Sequence, residues 1–286
     1  MKKIKLNKFK ENAMKTVFLI AACVSIIAVL LICIFLFANG LPTMAKIGVF
    51  KFLFGTEWAP ENNKFGILPM IVGSIYVTIG AIIVGVPIGV LCAIFMARFC
   101  PKKLYKVLKP TIDLLAGIPS IVYGFVALSL IVPIMQNFGG TGQNVITASI
   151  LLGIMILPTI TSVTEASLRA VDNSYYEGAL ALGATHEESV FRAVLPAAKS
   201  GVLAGVILGV GRAIGETMAV SMIAGNQTVI PSSLLDGVRT LTTHIVIELG
   251  YSEGLHREAL IATSVVLFVF VLIINACFSA LKRRDK

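Results

Sequence analysis

From Thr16 to Phe37 the chain runs for 22 residues, TVFLIAACVSIIAVLLICIFLF, without one charged side chain. A helix of that length is about 33 Å long, enough to cross the roughly 30 Å of bilayer hydrocarbon. A secretory h-region is only about 7–15 residues long, and Ala38-Asn39-Gly40-Leu41-Pro42 is a poor cleavage site. The segment is therefore expected to be an uncleaved first span. Five further apolar runs follow, over 66–97, 111–136, 144–167, 201–224 and 257–281. The expectation is an all-α membrane protein with six transmembrane helices. Composition agrees: 14% of residues are charged and 57% hydrophobic, whereas soluble domains are about one-quarter charged.

The formal net charge of +9 would point to nucleic acid in a soluble chain. Here the cations flank apolar runs and aromatic residues do not interleave with them, so the charge orients the spans instead. With both termini cytoplasmic, 18 of the 24 Lys and Arg fall on inner segments and five on outer ones, as the positive-inside rule requires. The organisation expected is a cytoplasmic tail, first span and outer loop over 1–66, a five-helix core over 67–281, and a basic tail over 282–286. Residues 172–198 form a cytoplasmic loop within the core. Gly73, Gly80, Gly85, Pro87 and Gly89 interrupt the second span, and tilt, a kink or a break near Pro87 is expected. Cys23, Cys33, Cys92, Cys100 and Cys277 lack CxxC spacing, which excludes a zinc site and a disulfide framework and leaves small buried hydrophobes.

The polar segment before the fifth span has the signals of two short helices. Ser174 with Glu177 has capping-box spacing, Gly183 sits where a left-handed residue ends a helix, and Thr185 with Glu188 repeats the box. Pro196 is expected to stop the second helix. Small residues from Gly178 to Leu182 give a narrow face that fits a groove on a partner or lies flat on the membrane. Physical reasoning leaves these two open.

The fifth span carries charge. At 100° per residue from Gly201, Gly205 lies at about 40°, Gly209 at about 80°, Arg212 at about 20° and Glu216 at about 60°. On a continuous helix both charges share the glycine face, which favours close helix approach over lipid. Arg212 lies about 16 Å along the span, near the midplane. An arginine there costs at least about 2.5 kcal/mol, and Glu216, one turn on, is placed to offset it. Two readings follow, a buried pair locking helices together or a substrate pathway. A guanidinium fork matches oxyanions such as phosphate. Asp113, Glu165 and Arg169 have the pattern of interface features, and Asp236 and Arg239 of a solvated outer loop. His186, His244 and His256 lack metal-ligand spacing.

Glu177-Gly178-Ala179, Gly183 and Leu195-Pro196 resemble the EAA signature of ABC-importer permeases, with the family's spacing throughout. Gly178 replaces its first alanine and Ala193 its isoleucine. The resemblance implies a loop that docks on a cytoplasmic ATPase. No G-x-x-x-x-G-K-[ST] occurs, so the chain is expected to be non-catalytic and without cofactor, with ATP bound by another subunit. Gly211-Arg212-Ala213-Ile214-Gly215-Glu216-Thr217-Met218-Ala219-Val220 and Leu115–Gly124 resemble the PstC family of bacterial phosphate ABC-importer permeases; in the related PstA family Ala-Pro-Leu follows the Gly-Glu-Thr. This implies a multi-pass plasma-membrane permease for phosphate. It also implies a PstA-like second permease, two PstB-like ATPases and a PstS-like external phosphate-binding protein as partners. Arg212 and Glu216 are then pathway residues, and Glu177, Gly178, Ala179, Gly183, Leu195 and Pro196 coupling residues. The remaining alternatives are a permease for another oxyanion, molybdate or sulfate, and an ATP-independent channel or secondary carrier, which needs no EAA loop.

Overall fold

The computed structural model describes residues 2–284, with side chains described for Glu11 and for residues 13–280. The lysines before Glu11 and the tail 282–286 lie outside the described side chains. The first helix, α1 (Lys2–Ile47), runs unbroken through and well beyond the expected first span. A short helix, α2 (Val49–Phe54), and a two-stranded hairpin, β1 (Trp58–Ala59) with β2 (Lys64–Phe65), lead into α3 (Leu68–Ile94). Then come α4 (Lys102–Gly117), α5 (Ser120–Gln136) and α6 (Val145–Arg169). The segment before the fifth span forms α7 (Asn173–Ala181), α8 (His186–Ser189) and α9 (Leu195–Ala197). The fifth span opens with α10 (Lys199–Gly215), followed by α11 (Met218–Ile223), α12 (Leu241–Leu249) and α13 (Gly254–Arg284).

Four helices are long and apolar enough to cross a membrane alone, and two bent pairs bring the total to six. The first bend corrects an expected span, and the second lies at Ala198, before the fifth span. The third span does not begin at residue 111: α4 and α5 meet at 97° across Ile118-Pro119. The proline forces Ile118 into an extended conformation (ψ 129°) and ends α4 at Gly117. α4 therefore runs nearly perpendicular to α5, and its lysines belong to that transverse helix. The fifth span is broken as well, at Glu216-Thr217.

Pro87 and Pro196 both sit inside helices, and the chain breaks at neither of them. α3 continues through Pro87 and loosens only at a π-turn over Phe95–Phe99. Pro196 does not stop its helix. A π-turn over Val190–Val194 precedes it, with the Leu195 N–H donating to Val190, and this wider register accommodates the ring that clashes in an α-helix. The chain bends two residues later, at Ala198, by 71°.

The centre of the molecule is a glycine-mediated stack of α3, α6 and α10. A Cβ on Gly85 would meet Ile156 at 2.6 Å, and one on Gly153 would meet Val84 at 2.9 Å. Gly209 has Ile160 at 2.6 Å from the same position, and Gly205 has Thr164 at 2.9 Å. Backbones approach this closely only where side chains are absent. Leu152, Met155, Ile156 and Ile160 of α6 form the buried core between them. None of the five cysteines is buried, which corrects that expectation; Cys23 and Cys277 face outward on α1 and α13.

Candidate functional site

Arg212 projects from the fourth-last position of α10 on the glycine face, as expected, and is half-buried. Its Nη1 lies 3.5 Å from the Thr159 hydroxyl on α6. Glu216 is not one helical turn further on. Helix α10 ends at Gly215, and Glu216 is extended (φ −70°, ψ 130°). Its carboxylate turns forward, where Oε1 accepts from the Ala219 N–H at 3.1 Å and caps α11. Its carbonyl accepts from the Thr242 hydroxyl on α12 at 3.0 Å. Among the described residues no ion pair joins Arg212 to Glu216, so the offsetting pair expected from a continuous helix is absent from this structure. A Cβ on Gly211 or Gly215 would meet nothing within 4 Å. Those two positions near Arg212 in sequence carry no packing neighbour among the described residues.

The other motif singled out in the sequence arrives at the same place. Gly124 of α5 packs on α11, with its Cβ position 3.0 Å from the Ala219 Cα and 2.9 Å from the Met222 sulfur. Tyr123 donates its hydroxyl proton to the Leu115 carbonyl across the α4–α5 bend. The broken third span and the broken fifth span thus meet at their breaks. Irregular backbone at membrane depth persists only where protein buries it or it lines a cavity.

The coupling residues form a separate site at the far end of α10. Asp172, not Ser174, caps α7, its carboxylate accepting from the Ser174 N–H at 2.8 Å. Those hydrogen bonds, from backbone and side chain of Ser174, hold the Asp172 carboxyl below the usual range. Gly183 adopts φ +89° and closes α7: its N–H donates to Leu180 and that of Ala184 to Ala179, the paired bonds of a Schellman end. The Thr185–Glu188 capping box is formed in both directions. Glu177, Gly178 and Pro196 are exposed and Ala179 and Leu195 half-buried, while Leu182 at the tip is 91% exposed. The hairpin root is fixed by His186, whose Nδ1 lies 2.7 Å from the Tyr176 hydroxyl and whose ring meets Phe99 edge-on. Val190 and Val194 are buried against Ala93, Ile94 and Leu168.

Two charge clusters lie outside these sites; the first contains the Glu165–Arg169 interface pair expected from the sequence, and the second was not expected. Glu165, 2% exposed, gathers Tyr105, Lys109 and Arg169, joining α4 to α6. At the opposite end, Glu248 accepts from Trp58 Nε1 at 2.7 Å and pairs with Arg239 and with His256 at 2.8 Å. His244, fully buried, sits edge-on to Trp58. Burial, with help from Arg239 and His256 against the opposing Glu248, lowers its pKa to about 4. Burial pushes Glu248 up, but His244, the bonds from His256 and Trp58, and Arg239 outweigh it and hold the carboxyl low. Arg239 is therefore a buried partner, not a solvated loop residue. Asp236 remains on the loop, where hydrogen bonds from Ser232 and Ser233 hold its pKa down. The one signal available was the chain's only tryptophan, Trp58, in a mixed loop over 38–65.

A six-span helical frame with a projecting, capped hairpin and two broken spans defines a transport permease of the plasma membrane. The chain belongs to the family of binding-protein-dependent transport system inner membrane components, whose profile matches residues 85–284. It is 39% identical over 271 residues to the probable ABC transporter permease protein YqgH of Bacillus subtilis, covering 90% of this chain and 88% of that one. It is 35% identical to the phosphate transport system permease protein PstC of Mesorhizobium japonicum, covering 86% and 81%. These relatives bear out the resemblance carried by Gly211–Val220. The fold matches a permease of the alginate ABC importer with TM-score 0.58 at 16% identity, covering 91% of this chain and 95% of that one. It matches the methionine transporter MetNI at 0.57 and 19%, covering 77% and 94%.

Proposed function

We propose that this chain is a permease subunit of an importer that moves inorganic phosphate across the bacterial plasma membrane, driven by ATP hydrolysed on separate subunits. The observation that carries the reading is the half-buried guanidinium of Arg212 beside a helix break, with the Thr159 hydroxyl as its neighbour and no carboxylate paired with it among the described residues. A desolvated arginine without a carboxylate partner is a ready site for an oxyanion. Relatives that carry phosphate in their names support that anion over molybdate or sulfate. Glu216 serves by shaping the break: it holds the start of α11 and leaves Arg212 available.

The hairpin Glu177–Pro196 is the docking element for the ATPase, with Leu182 and the small residues Gly178 and Ala179 entering its cleft. A PstA-like permease completes the pathway, two PstB-like ATPases drive it, and a PstS-like external protein delivers phosphate. The test is uptake of labelled phosphate by the whole complex in proteoliposomes. Arg212→Gln is expected to cut ATP-driven uptake about tenfold or more, the scale of a lost hydrogen bond to a charged group. Uptake at the unaltered rate overturns the role of Arg212, and preferential uptake of sulfate or molybdate overturns the substrate.

A further inference from the structure

Where α1 ends and α13 begins, a pocket of about 570 Å³ opens between α1, α2 and the β1–β2 hairpin. Lys46, Lys51 and Lys64 line it, with Thr56, Asn63 and a single carboxylate, Glu57. Lys64 is held by Glu57 at 2.7 Å, and Lys46 by Glu258 at a looser 3.6 Å. Lys51 has no ion-pair partner among the described residues.

The depth of this pocket is set by its walls. Lys46 is in the last turn of α1 and Leu255 in the first turn of α13, so the pocket lies beside the outer ends of the first and last spans. Beside it, α2 presents Phe50 and Phe54, 80% and 63% exposed and stacked 6.2 Å apart. Two bare phenyl rings next to lysines suit a lipid interface, where rings enter the acyl region and ammonium groups stay with the phosphates. The flank of α1 below is also bare; Phe18 and Phe35 are 65% and 57% exposed.

We propose that this pocket binds the phosphate of an anionic phospholipid headgroup, with Lys51 as the free cation, Lys46 and Lys64 at its sides, and the acyl chains along Phe50, Phe54 and α1. An acidic protein surface would satisfy the lysines but leave both phenyl rings unexplained. Free phosphate shares the charge chemistry and lacks the chains.

The test uses the whole importer, delipidated in maltoside detergent. Thermal melting and native mass spectrometry are followed with dioleoylphosphatidylglycerol, dioleoylphosphatidylcholine or inorganic phosphate. Phosphatidylglycerol alone is expected to be retained and to raise the melting temperature. Lys51→Gln is expected to weaken retention about fivefold, the effect of one basic residue at an anionic surface, and Lys46→Gln/Lys51→Gln/Lys64→Gln to remove it. Equal melting of the variants in plain detergent establishes that they fold; if the triple variant does not, Lys51→Gln decides. Three results overturn the proposal: unaltered lipid retention in the Lys51 variant, displacement of the lipid by inorganic phosphate alone, or loss of external-protein binding with lipid retention intact.

Discussion

The carboxylate of Glu216 lies 3.1 Å from the amide nitrogen of Ala219, three residues ahead, instead of against Arg212, four residues behind. That contact converts a residue placed by periodicity as a counter-ion into the cap of a six-residue helix. A neutral acceptor can perform the same task. Glu216→Gln is therefore expected to keep most of the stability of the complex, whereas Glu216→Ala loses about 1 kcal/mol, the usual cost of removing a cap. Melting curves of the two variants separate the readings; equal losses would argue that the charge, not the acceptor, matters.

The α6–α10 contact leaves no room for a methyl group at Gly209, whose Cβ position is 2.6 Å from Ile160. Gly209→Ala is expected to destabilise the complex by about 1–3 kcal/mol, as overpacking does. Gly211→Ala meets open space and is expected to stabilise its helix by about 0.5–1 kcal/mol, as alanine does in place of glycine within a helix. Thermal denaturation of the two variants side by side checks the pair.

At the hairpin, Gly183 at φ +89° and Gly178 in open space make opposite demands. Gly183→Ala is expected to destabilise the end of α7 by about 1–2 kcal/mol and to uncouple ATP hydrolysis from uptake. Gly178→Ala restores the alanine of the EAA signature and favours the helix by about 0.5–1 kcal/mol. Hydrogen exchange over 173–185 reads the first effect, and the ratio of ATP hydrolysed to phosphate imported reads the second. An unchanged ratio in the Gly183 variant removes the docking role.

The cluster around Glu248 predicts a direction of pH dependence. His244 is neutral in the fold with its pKa near 4, while an unfolded histidine titrates near 6.5. The unfolded chain therefore takes up a proton first as pH falls. Stability drops from about pH 6.5 down to about pH 4, by at most about 3 kcal/mol, and then levels for this group. Glu248, also held low, adds its own loss in the carboxylate range below that window. Melting temperature against pH measures the slope. His244→Gln is expected to flatten the curve between pH 6.5 and 4, and an unaltered curve would exclude His244 as its source.

The parts of the fold legible in the sequence are those governed by local chemistry. Long apolar runs marked the spans, and Gly183 with Thr185 and Glu188 marked the turn of the hairpin, though not its two ends. What escaped were the breaks. Periodicity carries a helix onward until a stop is recognised, and Gly117-Ile118-Pro119 was such a stop, hidden inside an apolar run. Gly215-Glu216-Thr217 offers a weaker signal, because the break there rests on partners distant in sequence, among them Thr242. Arg212 could be placed on its face because only α10 decides that; its missing counter-ion could not be foreseen. The Trp58–Glu248 contact joins residues 190 positions apart, and nothing local in either stretch announces it.

The joint at Ala198 has a mechanical meaning. Hairpin and span are two arms set at 71°, so motion imposed on one arm reaches the other as rotation about a pivot. Arg212 is 14 residues beyond Ala198 and so roughly 20 Å from it. A turn of roughly 10° at the pivot carries the guanidinium through roughly 3.5 Å, about one hydrogen-bond length. On the proposed docking of the hairpin to an ATPase, a crank of this proportion would exchange a small angular step at the hairpin for the making or breaking of one bond at Arg212.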